Sequence, residues 1–245
     1  TEPELKDALH TWETRLGNVP PVKVGALKKE ARLPVPALRP ERTTTMTVLP
    51  FLPRGKHEKS WGALALWLGE KAAQTVSRTM YPRIWWWLPP IIWPNEEERW
   101  GRLLRRVLQQ GGKRFVLGAP WQVSLFPSET KATILAGPFC NISNPLALEI
   151  LQRLGLSGSI ASPELGAEDY ALLAQQSPLP LGIVLQGFWP VGVSRTLTKE
   201  VRPNEPLMSP KDEPFWVRRY GQNIWIYPGW PLELTESQGD FEAMG

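Results

Sequence analysis

The chain has 245 residues, 42% of them hydrophobic and 21% charged, which is enough to bury a substantial core and excludes a chain disordered throughout. A formal net charge of +4 and a sequence pI near 9.3 allow an anionic partner without demanding one, because mild basicity is common among ordinary proteins. Cys140 is the single cysteine, so an internal disulfide, a thiolate zinc site and a cysteine-ligated iron–sulfur cluster are all excluded for this chain alone.

A lone cysteine predicts a reducing compartment. The first residues lack the basic and apolar regions of a signal peptide, and the longest apolar run is broken by Pro89, Pro90 and Pro94, so neither a leader nor a membrane-spanning helix is expected. A cytoplasmic protein follows. Thr1 and Gly245 do not read like natural ends, with Phe241 to Met244 only beginning a helix, and a piece of a larger parent chain is expected.

In chain order, Leu5, Leu9, Trp12 and Leu16 recur at spacings of three and four, which predicts an amphipathic helix over 4–16 stopped by Gly17-Asn18. Residues 20–42 read as a proline-rich connector with a basic strip of Lys23, Lys28, Lys29, Arg32, Arg39 and Arg42, either an arm for RNA phosphates or a solvated linker. Residues 1–45 thus form a helix and connector, and 46–245 a module of their own. Strands are expected at 46–49, 63–67 and 83–88, with a short helix over 70–79. The Arg83-Ile-Trp-Trp-Trp-Leu88 strand is bulky on both faces and needs cover on both, as in a sheet flanked by helices.

The next helix starts at Asn95, with Glu98 at the capping-box position. Its apolar face is Trp100, Leu103, Leu104, Val107 and Leu108, and Gly111-Gly112 ends it. Its arginines, Arg99, Arg102, Arg105 and Arg106, suit a solvated face or a phosphate grip. Strands then alternate with helices: strands at 114–117, 132–136, 158–161 and 181–185, a helix from Asn144-Pro145 closed by Gly155, and a helix capped by Ser162-Pro163 running to Gln176. That alternation predicts an α/β fold with a partial or divergent TIM-barrel-like parallel sheet flanked by helices. Residues 215–219 and 223–227 predict a late β-hairpin, and Pro228-Gly-Trp-Pro231 a lead into the last helix.

Common catalytic motifs are missing. His10 and His57 have no acidic or cysteine partner at ligand spacing, and no phosphate loop, zinc-protease helix or nucleophile elbow is present, so no metal or cofactor site is expected. Polar residues fall instead beyond strand ends: Gln122, Cys140, Asn141, Glu164 and Gln186. In a parallel sheet these converge on the carboxyl-end rim, where barrel enzymes hold substrate. A buried Glu164 there has the makings of an acid or base. A packing account competes, with Asn144 and Ser162 as caps, Cys140 as a small hydrophobe and Glu164 as a first-turn carboxylate on a helix dipole. Among 13 tryptophans, Trp121, Trp189, Trp216 and Trp230 lie in loops near that rim, placed either to stack bases, to grip an extended peptide or to pack.

Gly137-Pro-Phe-Cys-Asn-Ile-Ser-Asn144, Leu154-Gly155, Ala161-Ser-Pro-Glu-Leu165 and Val184-Leu-Gln-Gly187, in this order, resemble the collagenase-like peptidase family (peptidase family U thirty-two), over about residues 83–235. The resemblance implies a TIM-barrel-type region and a peptidase or hydrolase label, with relatives in RNA or ubiquinone hydroxylation that often carry a cysteine-bound iron–sulfur cluster. Phe188-Trp-Pro-Val-Gly-Val-Ser-Arg195 has no cysteine where such relatives have cluster ligands, and the family's opening strand is missing. Both departures suggest a divergent module. The expected site has Glu164 and Asn141 as catalytic candidates and Gln122, Cys140, Gln186, Arg195, Trp121 and Trp189 as substrate contacts, taking an extended peptide or an RNA segment. A non-catalytic binding module and a domain completing a barrel in the parent chain are the alternatives.

Overall fold

The computed structural model describes residues 44–50, 52, 62–197, 201 and 205–244, all within the second of two units, Pro36–Gly245. The expected helix over 4–16, the basic connector and both histidines lie outside the described residues. Seven strands form one parallel sheet: β1 (Met46–Leu49), β2 (Ala63–Trp67), β3 (Trp85–Trp87), β4 (Arg114–Leu117), β5 (Thr133–Ala136), β6 (Gly158–Ile160) and β7 (Leu181–Gly182). Their spatial order is their chain order, so each crossover steps one strand along in the same direction, as in a barrel and unlike a doubly wound sheet. No pairing joins β7 back to β1 among the described residues, and the sheet is a curled half-barrel.

Alternation along the strands creates two apolar layers. Leu66, Trp86, Phe115, Leu117, Ile134 and Ala136 point to the outer layer. There they meet α1 (Glu70–Thr75), α2 (Glu97–Gln109), α3 (Pro145–Arg153) and α4 (Ala167–Gln176) through Ala72, Leu103, Leu104, Val107, Leu148, Leu151 and Leu173. Ala65, Trp87 and Val116, with Trp67, Trp85, Leu135 and Ile160 around them, make a smaller inner cluster. The Trp85-Trp86-Trp87 strand thus needs cover on both faces, as its composition predicts. Of the arginines on α2, Arg106 pairs with Glu70 at 2.8 Å and Arg102 with Glu98.

The later strands form separate antiparallel sheets. One runs β10 (Leu207–Met208), β11 (Pro214–Tyr220), β12 (Asn223–Pro228), β9 (Gly192–Ser194). Its β11–β12 hairpin is the expected one, with Tyr220 opposite Asn223 and Gly221 at φ +62 in the turn. The other pairs β8 (Gln186–Gly187) with β13 (Leu232–Glu233). A short 3-10 turn, Thr235–Ser237, then leads into α5 (Gln238–Met244).

Several boundaries differ from expectation. α1 stops at Thr75, whose hydroxyl donates back to Lys71 and Ala72 carbonyls at 3.0 and 3.2 Å, and Val76 is extended. Arg83 and Ile84 belong to a turn, their N–H groups donating to Met80 O at 2.9 and 3.1 Å. Asn95 does not cap α2; a Pro94–Glu96 3-10 turn precedes it and Glu96 takes the N-cap position. Ser162 does not open α4, which starts five residues later after Gly166. Strand β7 ends at Gly182 rather than Leu185, because Leu185 O accepts from Leu234 N at 2.7 Å and Gln186-Gly187 pairs with β13.

Candidate functional site

The segments after β5 and β6 meet at the carboxyl end of the half-barrel. Gly137 follows β5, and Pro138–Cys140 makes one 3-10 turn. Asn141 ends that turn in the left-handed region, φ 52 and ψ 45, a conformation that asparagine tolerates better than most residues. Asn144 then accepts from Ala147 N at 2.9 Å and, with Pro145 at the first helical position, opens α3 as expected. After β6, Ser162 N donates to Ile142 O at 3.0 Å. Its hydroxyl donates to Asn141 Oδ1 at 2.5 Å and accepts from Glu164 N at 3.2 Å. Tyr170, from α4, holds the same turn by donating to Ser162 O at 2.7 Å.

This arrangement opens a shallow cleft of about 170 Å³, lined by Pro138, Phe139, Asn141, Ser162, Pro163, Glu164, Trp189 and Pro190. Phe139 and Trp189 stack with ring centroids 4.3 Å apart and planes at 23°. Phe139 also meets Trp67 and Trp225 at 6.2 and 5.8 Å, so the cleft wall is one end of a larger aromatic cluster. Glu164 is exposed. The expectation of a buried carboxyl is therefore corrected: without α4 beginning at Ser162, the side chain neither sits in a first helical turn nor is desolvated.

The other expected contacts lie elsewhere. Cys140 is next to the cleft, but its thiol donates inward to Leu117 O at 3.5 Å. Burial pushes its pKa up to about 12, against a smaller opposing effect of a hydrogen bond from the Gly137 backbone. Such a thiol stays protonated and is a poor nucleophile. Gln122 is fully buried. Its Oε1 accepts from Gly118 N and Ala119 N at 2.9 and 3.3 Å, and its Nε2 donates to Pro89 O at 2.8 Å, so the amide is turned into the fold and has no surface to present to a substrate.

Gln186 is exposed on the two-stranded sheet and donates to Glu233 at 2.7 Å. Arg195 lies 2.7 Å from Glu96 and its guanidinium sits 4.7 Å from the Trp93 ring centroid. Trp121 is 41% exposed on the 3-10 turn after β4. Of the expected residues, the fold brings Asn141, Glu164 and Trp189 together. Ser162, Phe139 and the prolines complete the cleft. Ser162 was legible as the residue beside Glu164 in the same motif, whereas the ring stack of Phe139 on Trp189 carries no local signal. Among the described residues no group of three or more His, Cys, Asp and Glu side chains is placed to hold a metal ion, and no helix is long and apolar enough to cross a membrane.

No protein-family model matches the chain, and neither a curated protein nor a solved structure does.

Proposed function

We propose that this chain is a peptide-binding module whose seat is the cleft beyond β5 and β6. The carrying observation is the lining itself: Pro138, Phe139, Pro163, Trp189 and Pro190 form rigid apolar walls, Asn141 and Glu164 supply polar groups, and among the described residues no lysine or arginine lines the cleft. Flat rings and prolines suit an extended or polyproline-like segment, which docks at small entropic cost. An amide and a carboxylate suit peptide N–H and C=O groups or a basic side chain. RNA is the poorer occupant, because phosphate tracking requires cations and, among the described residues, the ionisable side chain lining the cleft is the Glu164 carboxylate. The resemblance to the collagenase-like peptidase family points to the same class of ligand.

A hydrolase is the second reading, favoured by Glu164 sharing the cleft with Asn141, whose left-handed backbone is of the kind found at functional sites. In that reading Glu164 acts as acid or base on a bound water, and Asn141 orients the substrate. It draws no support from the neighbouring nucleophiles: the Cys140 thiol is held protonated, and the Ser162 hydroxyl donates to Asn141.

The test is calorimetric titration with an array of extended proline-containing peptides of varied charge, and with poly(U) as the RNA probe. The expected result is saturable peptide binding, weakened about tenfold by Trp189→Ala. Binding to poly(U) that falls steeply with salt, with no peptide bound, would defeat the proposal. Cleavage of a bound peptide that Glu164→Gln abolishes would promote the hydrolase reading.

A further inference from the structure

The fold grips Arg195 between a tryptophan and a glutamate, and at the cleft it presents the same two side-chain types without an arginine. The Arg195 guanidinium lies 4.7 Å from the Trp93 ring centroid and 2.7 Å from a Glu96 carboxylate oxygen, so a ring face and a carboxylate hold one planar cation together. In the cleft, Trp189 and Glu164 line a common space. Trp189 gives one ring face to Phe139 and is only partly buried. Glu164 is exposed, and among the described residues no lysine or arginine pairs with it.

The surroundings carry the same sign as Glu164. Residues 154–194, which include β6, α4 and the Trp189 wall, hold Glu164, Glu168 and Asp169 but no lysine or arginine, in a chain whose formal net charge is +4. Arg153 and Arg195, the cations on either side of this stretch, are ion-paired with Glu149 and Glu96. Helix α5 packs on α4 through Phe241 and Tyr170, ring centroids 5.4 Å apart, and adds Asp240 and Glu242. Glu168 and Asp169 have a local task, since they lie in the first turn of α4 and complement its dipole. Glu164 precedes that helix and has none. A negative field over an aromatic wall draws cations to the cleft, and because a peptide backbone is neutral, the complementary charge belongs to a side chain of the ligand.

Resting on the peptide reading above, we infer that the cleft selects a basic segment, in which an arginine lays its guanidinium on Trp189 and pairs with Glu164. Arginine suits the site better than lysine, because its planar group stacks on a ring while presenting a fork to a carboxylate. The test is calorimetric titration with terminally blocked, proline-containing peptides identical except at one central position, which is arginine, citrulline, leucine or glutamate. Citrulline keeps the shape of arginine and loses its charge. The arginine peptide is expected to bind about fivefold or more tighter than the citrulline peptide, by a margin that shrinks as salt screens the pair, and the glutamate peptide is expected to bind weakest. Glu164→Gln is expected to bring the arginine and citrulline peptides within about twofold of each other, whereas Glu168→Gln, the same change of charge outside the cleft, keeps a margin of about threefold or more. Peptides bound with no preference for arginine overturn this inference and leave the peptide reading standing, while a failure of all four to bind overturns both. A margin that survives Glu164→Gln, or that Glu168→Gln removes equally, overturns the pairing with Glu164.

Discussion

Cys140 shows how one side chain near the cleft is withdrawn from it. Its thiol is turned to the Leu117 carbonyl, and burial raises its pKa from 9.0 to about 12. Below about pH 9 the thiol is protonated in folded and unfolded chains alike and contributes no pH dependence. Above that, the unfolded chain releases its proton first, so stability falls as pH rises from about 9 and the loss levels off only near 12. Tyr81, Tyr170 and Tyr227 are raised by burial too and push in the same direction. The contribution of Cys140 is isolated by comparison with Cys140→Ala. Urea denaturation at about pH 8 and about pH 10.5 should show wild type losing roughly 2 kcal/mol more than the variant over that interval. Equal losses would mean that the thiol is better solvated than its position implies. Gln122 and Arg195 are withdrawn differently, the first by three hydrogen bonds inside the fold and the second by Glu96 and Trp93.

At the scale of elements, the turns leaving β3 and β4 pass so closely that Gly118 has no room for a side chain. A Cβ there would lie 2.4 Å from Pro89 O and 2.5 Å from Pro90 Cα, backbone atoms that cannot step aside. Gly118→Ala is expected to cost about 2–4 kcal/mol in urea denaturation; a cost below about 0.5 kcal/mol, the range of neutral surface changes, would show that the two turns part easily. This crossing is invisible in sequence, where Pro89 and Gly118 are merely punctuation. Elements whose signals are local were readable: the α3 cap at Asn144-Pro145, the Trp85–Trp87 strand, and the β11–β12 hairpin. Those settled by distant partners were not. Ser162-Pro163 carries a helix-start signature, yet Asn141, from the preceding strand end, takes the Ser162 hydroxyl. Leu185 belongs by composition to β7, yet its carbonyl is claimed by Leu234. The site followed the same rule, since Asn141 and Glu164 were placed by strand-end logic while Gln122 and Gln186, chosen by that logic too, were drawn off by partners at Pro89 and Glu233.

At the scale of the whole described unit, the half-barrel's carboxyl mouth is covered by the antiparallel sheet. Trp225 of β12, 7% exposed, is wedged edge-on against Trp67 and Phe139 at 5.8 Å from each. Trp93 Nε1 donates to Asn223 at 2.9 Å, and Arg195 reaches back to Glu96. Because Phe139 is also the residue on which Trp189 stacks, the cleft wall leans on this cover. Trp225→Ala removes the wedge and leaves a cavity, at an expected cost of about 3–5 kcal/mol. Its distribution is the informative part. If the cover is a unit docked on the barrel, amide hydrogen exchange should accelerate in β9, β11 and β12 while β3, β4 and β5, buried on both faces, stay protected to the global limit. The peptide affinity proposed for the cleft should fall with it, since Phe139 loses one of the rings that hold it. Uniform acceleration through β3–β5 would instead mean that the mouth and its cover unfold as one, and that the Trp225 contact is part of the barrel's own core.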